Sequence, residues 1–252
     1  MKPFAHNCLT LLRRILGWIA LTQFIAIATC MAATAVQIDV HPSPPWSYEG
    51  PDKAVVGIEP DLLRAALRSQ GYEPTFSIVS YSRLLEDFGA KRVPYASPVA
   101  ALVSFPGMFR TQPYLPYRDV VISLVKSKFR INAIADLADK RIVAYQAASK
   151  VLGPEFARMA GKNPAYRERS ARELQIEELF EGRVDVVVGE RRILTFLTTK
   201  LRGPGLIQVH DIFPADPPGG VSWSPELANA VDRGMQKLRE SGEYQRIIDA
   251  PR

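Results

Sequence analysis

Polar side chains at two places in the second half of the chain follow short apolar segments, and they are well placed for binding chemistry. Ser149 and Lys150 come soon after the segment Ile142–Tyr145, and Glu190 comes soon after Val184–Val188. Each segment has the length of a buried strand, and open α/β sheets bind ligands at the carboxyl ends of their strands. A carboxylate there suits a ligand cation or hydroxyl, whereas a hydroxyl and an ammonium suit an anion. The sequence therefore predicts one ligand-binding crevice at these strand ends.

Both positions also have an ordinary structural interpretation. A glutamate at the start of a helix is favoured by the positive end of the helix dipole. A serine near a helix start can cap the helix by accepting a backbone N–H hydrogen bond. From the residues alone, Glu190 and Ser149 fit either a ligand site or a helix start.

Two series of alternating strands and helices would position these groups. The first series has the order βαβαβ, and its first helix carries Leu63, Ala66 and Leu67 on one face. The predicted elements of this series are strand Gln37–His41, a helix from Pro60 to Gly71, strand Thr75–Val79, helix Tyr81–Ala90 and strand Val93–Ser97.

Two proline-rich segments, Phe105–Tyr117 and Asp211–Gly220, enclose the second series. Proline cannot continue a strand ladder, so we interpret both segments as crossings between two lobes joined by a hinge. The other predicted elements are strand Asp119–Val125, a helix after a capping box of Ser170 and Glu173, and a final helix that begins at Ser224-Pro225.

The N-terminal segment has the pattern of a secretory signal peptide. Lys2, Arg13 and Arg14 precede an uncharged apolar run, Ile15–Ala33. Small residues near the end of this run predict cleavage after Ala35, which would place the mature protein in the periplasm.

The same segment leaves two alternatives open. The run is about as long as the roughly 17–25 residues of a membrane helix, so a retained anchor is one alternative, and a lipid on Cys30 is the other. Both cysteines, Cys8 and Cys30, lie in the segment. A cleaved protein would have no disulfide and would depend on its hydrophobic core.

The charge distribution argues against nucleic-acid binding. The chain has 32 basic and 26 acidic residues, a net charge of +6. Three basic residues belong to the leader, so 29 basic and 26 acidic residues remain, a net charge of +3, and they are interspersed. His41 and His210 lack metal-ligand spacing, so we expect neither metal nor cofactor.

The order and spacing of several short motifs resemble the family 3 extracellular solute-binding proteins, the periplasmic receptors of polar amino acid ABC transporters. This resemblance implies an α/β type II periplasmic-binding-protein fold, with two β/α lobes joined by a two-strand hinge. It implies a signal peptide at 1–35, lobe 1 at 36–122 and 212–252, and lobe 2 at 123–211. The motifs are Pro45–Tyr48, Gly57–Leu62, Phe109–Tyr114, Asp136-Leu137, Lys140–Val143, Gly182–Val188, Ser224–Leu227 and Gly242–Ile247.

The chain departs from this family at the residue that holds the ligand carboxylate in lobe 1. The family usually has an arginine about nine residues before the Pro-Tyr pair, where this chain has Ser104. Arg110 is the predicted substitute, because a guanidinium can bind a carboxylate with two hydrogen bonds. The alternative is that Arg110 is a surface side chain.

In lobe 2 the resemblance supports both polar positions. The turn Gln146–Ser149 matches the family's turn that binds carboxylate oxygens on backbone N–H groups, with Ala147 in place of a glycine. Glu190 matches an aspartate that holds the ligand ammonium. The resemblance also makes Trp46, Tyr81, Tyr114 and Tyr145 candidate walls of the site, although core packing is the alternative for each.

These features predict a receptor that captures a small polar solute, amino-acid-like or amine-containing, by hinge closure. The expected partner is an ABC permease, or a membrane sensor if the lobes report ligand instead of delivering it, and we expect a monomer. An enzyme is a further alternative, because a few proteins that resemble this family are dehydratases of cyclohexadienyl acids. The missing lobe 1 arginine argues against that substrate.

Overall fold

The structure, a computed structural model, describes residues 33–101, 103–215 and 217–251. The leader prediction for residues 1–32, including Cys8 and Cys30, lies outside the described residues. The strands are β1 Thr34–Val40, β2 Tyr48–Glu49, β3 Val55–Val56, β4 Tyr72–Ile78, β5 Tyr95–Val99, β6 Phe109–Arg110, β7 Asp119–Leu124, β8 Ile142–Ala144, β9 Tyr166–Glu168, β10 Val186–Glu190, β11 Ile207–His210 and β12 Gly219–Ser222. The α-helices are α1 Ile58–Arg68, α2 Tyr81–Gly89, α3 Ala148–Val151, α4 Pro154–Lys162, α5 Arg172–Phe180, α6 Arg191–Arg202, α7 Pro225–Glu240 and α8 Glu243–Asp249.

Two five-stranded sheets organise the chain. The first has the order β4-β1-β5-β12-β6, and the second has the order β11-β7-β10-β8-β9. Strand β12 returns to the first sheet late in the chain and pairs antiparallel with β5. We call the first sheet with α1, α2, α7 and α8 lobe 1, and the second sheet with α3–α6 lobe 2.

The second sheet brings the predicted polar residues to one edge. Strands β8 and β10 are parallel neighbours, so their carboxyl ends lie at the same edge. Both strands are buried along their whole length, as their continuous apolar sequences favour. Strand β7 runs antiparallel to β10, and Asp119 lies opposite Glu190 in the register.

Local signals fixed some element boundaries better than others. Helix α7, predicted as the final helix, begins as predicted but is followed by α8, and the Ser224 hydroxyl accepts the Leu227 N–H at 3.1 Å. The predicted capping box before α5 is wrong, because the helix is capped at Ala171 without a side-chain hydrogen bond. Strand β10 begins two residues later than predicted and includes Glu190 as its last residue.

A single hydrophobic cluster extends from lobe 1 into lobe 2. It includes Trp46, Leu62 and Val231 from lobe 1 and Val187 and Ile193 from lobe 2. Two smaller clusters lie in the individual lobes. The shared cluster fixes the place where the lobes meet. None of the helices in the described ranges is long and apolar enough to cross a membrane.

Candidate functional site

The lobes meet where the loop after β1 lies against the start of α5 and the start of α6. A cavity of about 200 Å³ opens between them. Lobe 1 contributes Pro42 and Pro44 to its walls, and the lobe 2 walls are Ser170, Arg172, Glu173, Ile193 and Leu197. This volume is below the roughly 300–1,000 Å³ of drug-sized pockets, so the cavity suits a small solute or one part of it.

Trp46 and Glu190 form a direct hydrogen bond between the lobes. The Trp46 indole Nε1 donates to Glu190 Oε2 at 2.9 Å. Both side chains are buried, with Trp46 at 0% and Glu190 at 7% exposure. Two predicted site residues from different lobes are therefore in contact, and Trp46 occupies a position from which it covers the carboxylate.

Glu190 combines a structural role with unused binding capacity. Its Oε2 also accepts the Ile193 N–H at 2.9 Å and so caps α6. Its Oε1 is buried and has no hydrogen-bond partner among the described residues. Burial raises the pKa of Glu190, while the Trp46 indole, the backbone N–H groups of Ile193 and Arg192 at the start of α6, and that of Arg118 before β7 oppose that rise. The carboxyl group can accept one further donor without losing its present partners.

Gly57 sets the position of Trp46. The Trp46 carbonyl accepts the Glu59 N–H at 3.0 Å, which holds the loop against the start of α1. Gly57 has a φ of 133°, and a Cβ on it would lie 2.2 Å from the Trp46 carbonyl oxygen. Only glycine allows this close approach, so the motif at Gly57–Leu62 serves to place Trp46.

Aromatic and cationic side chains enclose the Trp46 indole. Tyr117 packs on it with ring centroids 4.7 Å apart. From lobe 2, the Arg192 guanidinium carbon lies 5.6 Å from the indole centroid. Arg192 Nη1 also donates to the Ile248 carbonyl of lobe 1 at 3.2 Å, which is a second link between the lobes.

The Tyr117 hydroxyl is another unused polar group at this junction. It is buried and makes no hydrogen bond of good geometry with any described residue. Burial and then the charges of Glu59 and Glu190 raise the pKa of Tyr117, whereas the nearby Ser43 hydroxyl and Arg172 lower it. A ligand that reaches this point would meet a donor whose hydrogen bond is still available.

His41 and Tyr81 form an aromatic pair on the lobe 1 side. Their ring centroids are 5.4 Å apart in an edge-to-face arrangement. The Tyr81 hydroxyl accepts the Ala100 N–H at 3.3 Å, and the ring is 36% exposed. Burial and the charge of Arg172 lower the pKa of His41 to about 4, so the imidazole is neutral near pH 7.

Arg110 holds the loop that ends β5. Its guanidinium donates to the carbonyl oxygens of Val99, Ala100 and Val103, at 2.9, 3.2 and 2.6 Å. A ligand contact by Arg110 would require it to leave these carbonyls, and its role as substitute for the missing arginine stays a prediction.

The turn at Ser149 holds a carboxylate of the chain itself. Ala147 adopts a left-handed conformation, with a φ of 68°, and its N–H donates to Glu168 Oε2 at 2.6 Å. The Ser149 N–H and hydroxyl donate to Glu168 Oε1 at 2.9 and 2.7 Å, and the Tyr166 hydroxyl donates at 2.8 Å. Burial alone would raise the pKa of Glu168, but these hydrogen bonds lower it. Ser149 as a ligand contact stays a prediction, and a ligand carboxylate would have to displace Glu168.

The two remaining predicted tyrosines differ in their surroundings. The Tyr145 hydroxyl donates to Asp119 Oδ2 at 3.2 Å, beside Glu190 in the sheet register. Tyr114 is only 2% exposed, and its hydroxyl contacts Ser97 and Tyr95 inside lobe 1. Tyr145 therefore lies at the crevice edge, whereas Tyr114 packs in the core of lobe 1 in this conformation.

The structure thus brings Trp46, Tyr145 and Glu190 to the junction of the lobes, with Tyr81 on its lobe 1 side. The other predicted side chains make their hydrogen bonds within one lobe, Arg110 and Tyr114 in lobe 1 and Ser149 in lobe 2. The sequence reasoning did not select Arg172, Tyr117 or Asp119, which also face this junction. One sequence signal could have indicated Arg172, because it lies two residues after Ser170, near the predicted start of a lobe 2 helix.

No protein-family model matches the sequence. A comparison with curated proteins finds no match either.

Solved structures match over most of the chain. The ligand-binding core of GluR0 in complex with L-glutamate has a TM-score of 0.70 at 20% identity, over 86% of this chain and 97% of that one. A histidine kinase sensor domain with similarity to periplasmic binding proteins has a TM-score of 0.70 at 16% identity, over 86% and 95%. The amino acid ABC transporter substrate-binding protein AbpA from Streptococcus pneumoniae, bound to L-arginine, has a TM-score of 0.66 at 21% identity, over 85% and 93%. The chain has the two-lobe fold of periplasmic binding proteins, as the sequence predicts.

Proposed function

We propose that this protein is a periplasmic solute-binding receptor that captures a small polar solute between its lobes and delivers it to an ABC permease. The observation that carries this proposal is the gathering of polar groups with unused hydrogen-bonding capacity where the lobes meet. Glu190 Oε1 and the Tyr117 hydroxyl are buried there, and neither makes a hydrogen bond of good geometry with a described residue. Buried polar groups are normally hydrogen-bonded, so a ligand that supplies the missing partners accounts for them.

The Trp46–Glu190 contact provides the means of coupling solute capture to lobe position. It joins the lobes across the place where the resemblance puts a ligand ammonium. A solute with an amine or hydroxyl would donate a hydrogen bond to Glu190. It would thereby compete with the hydrogen bond that the Trp46 indole donates to the same carboxylate. Because a ligand shifts a conformational equilibrium only through differential contacts, binding at this junction would change the relative position of the lobes.

Binding is favoured over catalysis by the surroundings of the available acid and base groups. Ser123 and His210 form a hydrogen bond of 2.9 Å, but they are 0% and 5% exposed between β7 and β11. Glu190 is held by two hydrogen bonds and covered by Trp46. Neither arrangement offers a reactive group to a substrate. Sensing for a membrane partner, as in the sensor domain of similar fold, would begin with the same capture step.

A thermal-shift screen against amino acids, polyamines, sugars and aromatic acids tests the proposal. A ligand present at about 100 times its dissociation constant should stabilise the protein by roughly 2.7 kcal/mol. A shift by members of one class would identify the solute class. If no class stabilises the protein, the solute-binding proposal is wrong.

Glu190→Gln is expected to weaken binding of an amine or hydroxyl ligand by roughly 1.5–3 kcal/mol, because a hydrogen bond to a charged group is lost. Calorimetric titration of both proteins with the ligand from the screen measures this change. Glu178→Gln is the matched control, since Glu178 is a buried lobe 2 glutamate that pairs with Arg167 and Arg169. Equal affinities of Glu190→Gln and the original protein would remove Glu190 from the ligand site.

A further inference from the structure

Arg172 lies at the junction of the lobes and forms no ion pair with any described residue. It is half-buried at the first position of α5 and lines the 200 Å³ cavity. Its guanidinium makes no hydrogen bond to any residue in the described ranges. Glu173, the next residue, is exposed and also lines the cavity.

The charge of Arg172 reaches groups from both lobes. Burial has the largest effect on the pKa of His41 in lobe 1, of Tyr145 in lobe 2 and of Tyr117 in the segment that connects them, and the positive charge of Arg172 favours the deprotonated form of all three. Its place in the cavity wall puts Arg172 on the side of lobe 2 that faces the loop after β1. An anion bound there would lie between α5 of lobe 2 and the Pro42–Pro44 turn of lobe 1.

Other cationic and anion-binding groups around the junction already have partners. Arg118 and Arg191 both pair with Asp211, at 2.7 and 2.6 Å. Arg192 donates to the Ile248 carbonyl, and Arg110 donates to three carbonyls of the loop after β5. The N–H groups of the turn at Ser149 hold Glu168. Arg172 differs from all of these in having its five N–H donors available to a ligand.

We propose that Arg172 binds an oxyanion of the solute, a carboxylate or a phosphate, and that the ligand therefore carries an anionic group beside the amine or hydroxyl that Glu190 accepts. The inference rests on the proposed solute-binding function and names the ligand class. A planar guanidinium matches both oxyanions with two parallel hydrogen bonds, which a lysine cannot reproduce. The anion would be held from lobe 2 through Arg172, and the Pro42–Pro44 turn of lobe 1 would form the opposite wall of its cavity.

The test uses pairs of probes that differ only in the anionic group. L-Lysine and cadaverine, and L-arginine and agmatine, differ by one carboxylate, whereas phosphoethanolamine and ethanolamine differ by one phosphate. Thermal shift and calorimetric titration at constant ionic strength compare the members of each pair. We expect the protein to bind at least one anionic probe tightly and to bind the matching probe without the anion at least about tenfold more weakly. The pair that shows this difference identifies the oxyanion as a carboxylate or a phosphate.

Three variants assign the effect to Arg172. Arg172→Gln is expected to reduce affinity for the anionic member roughly 10- to 100-fold and to abolish the preference within the pair. Arg172→Lys keeps the positive charge but cannot make the two parallel hydrogen bonds of a guanidinium, so it should retain an intermediate affinity. Arg246→Gln makes the same change of charge in a separate groove of lobe 1, lined also by Arg64 and Arg68, and should bind like the original protein.

A readout at His41 separates direct binding from a general effect on stability. A bound oxyanion would offset the charge of Arg172, so the pKa of His41 should rise when the anionic probe is added. NMR titration of the His41 ring measures this shift, and Arg172→Gln should raise the pKa without any probe and remove the further response.

The outcomes distinguish the inference from the function on which it rests. Tight binding of an amine equally well with and without its anion, or unchanged preference in Arg172→Gln, would overturn the assignment to Arg172 and leave solute binding intact. Failure of every probe in these pairs and of the wider solute screen would overturn both.

Discussion

Replacing Trp46 with alanine is expected to lower the free energy of unfolding by about 3–5 kcal/mol, the usual cost of removing a large buried aromatic side chain. Trp46 is 0% exposed and belongs to the hydrophobic cluster that the two lobes share. Domains of this kind have total stabilities of roughly 5–15 kcal/mol, so the variant should remain folded but bind its ligand more weakly. Urea denaturation and ligand titration measure the two effects.

Phenylalanine variants separate the indole hydrogen bond from the packing of the ring. Trp46→Phe removes a donor to a carboxylate, whereas Trp223→Phe removes a donor to the Phe88 carbonyl within lobe 1, and both bonds are 2.9 Å long. A bond to a charged group contributes roughly 1.5–3 kcal/mol, and a neutral one roughly 0.5–1.5 kcal/mol. We therefore expect Trp46→Phe to be the more destabilising change.

The same pair reports on lobe position. Of these two bonds, only the one from Trp46 joins the lobes, so Trp46→Phe should increase the radius of gyration in small-angle X-ray scattering, and Trp223→Phe should not. Equal radii for both variants and the original protein would show that this bond does not hold the lobes together. Complete unfolding of Trp46→Ala would assign Trp46 to the core alone.

The sequence predicted the architecture because its signals are local. The continuous apolar run before Glu190 indicates a strand buried on both faces, and Ser224-Pro225 carries the cap and first-turn proline of a helix start. The capping-box prediction at Ser170 failed although its motif is also local. The helix begins at Arg172, one residue after Ala171, so the serine lies outside the capping position.

The composition of the site was harder to predict because it depends on contacts between distant residues. Trp46 and Glu190 are separated by 144 positions, and only the docking of the lobes brings them together. The turn at Ser149 has the sequence of an anion site, but the neighbouring strand β9 supplies Glu168, which fills it. Arg172 carries no sequence signal of being unpaired, since a counterion can come from any part of the chain.

Two groups of lobe 1, the buried Glu59 and the half-buried His41, are expected to give opposite pH dependences of stability. Glu59 is fully buried and accepts hydrogen bonds from Ser47 and Ser97, and burial raises its pKa from 4.5 to about 7. Burial and Arg172 lower the pKa of His41 from 6.5 to about 4. The charged form of each group is thus less favourable in the folded protein than in the unfolded chain.

The signs follow from proton linkage. Between pH 4.5 and 7 the folded protein keeps a proton on Glu59 that the unfolded chain releases, so the stability from Glu59 is lost as pH rises. Between pH 4 and 6.5 the unfolded chain binds a proton that folded His41 does not, so the stability from His41 is lost as pH falls. Each shift corresponds to at most about 3.4 kcal/mol at 1.36 kcal/mol per pKa unit, and the two contributions nearly cancel from pH 4.5 to 6.5.

Single substitutions should expose each contribution. Relative to the original protein, Glu59→Gln should gain stability as pH rises from 4.5 to 7, and His41→Gln should gain stability as pH falls from 6.5 to 4. Urea denaturation at half-unit pH steps measures both difference curves, and Glu49→Gln, at an exposed site, is the control. Parallel curves for Glu59→Gln and the original protein would mean that Glu59 is already ionised in the folded state. The Glu59 carboxylate would then add a negative charge near Tyr117 and favour a cationic group of the ligand at the junction. Binding of an anionic group would then depend more strongly on Arg172.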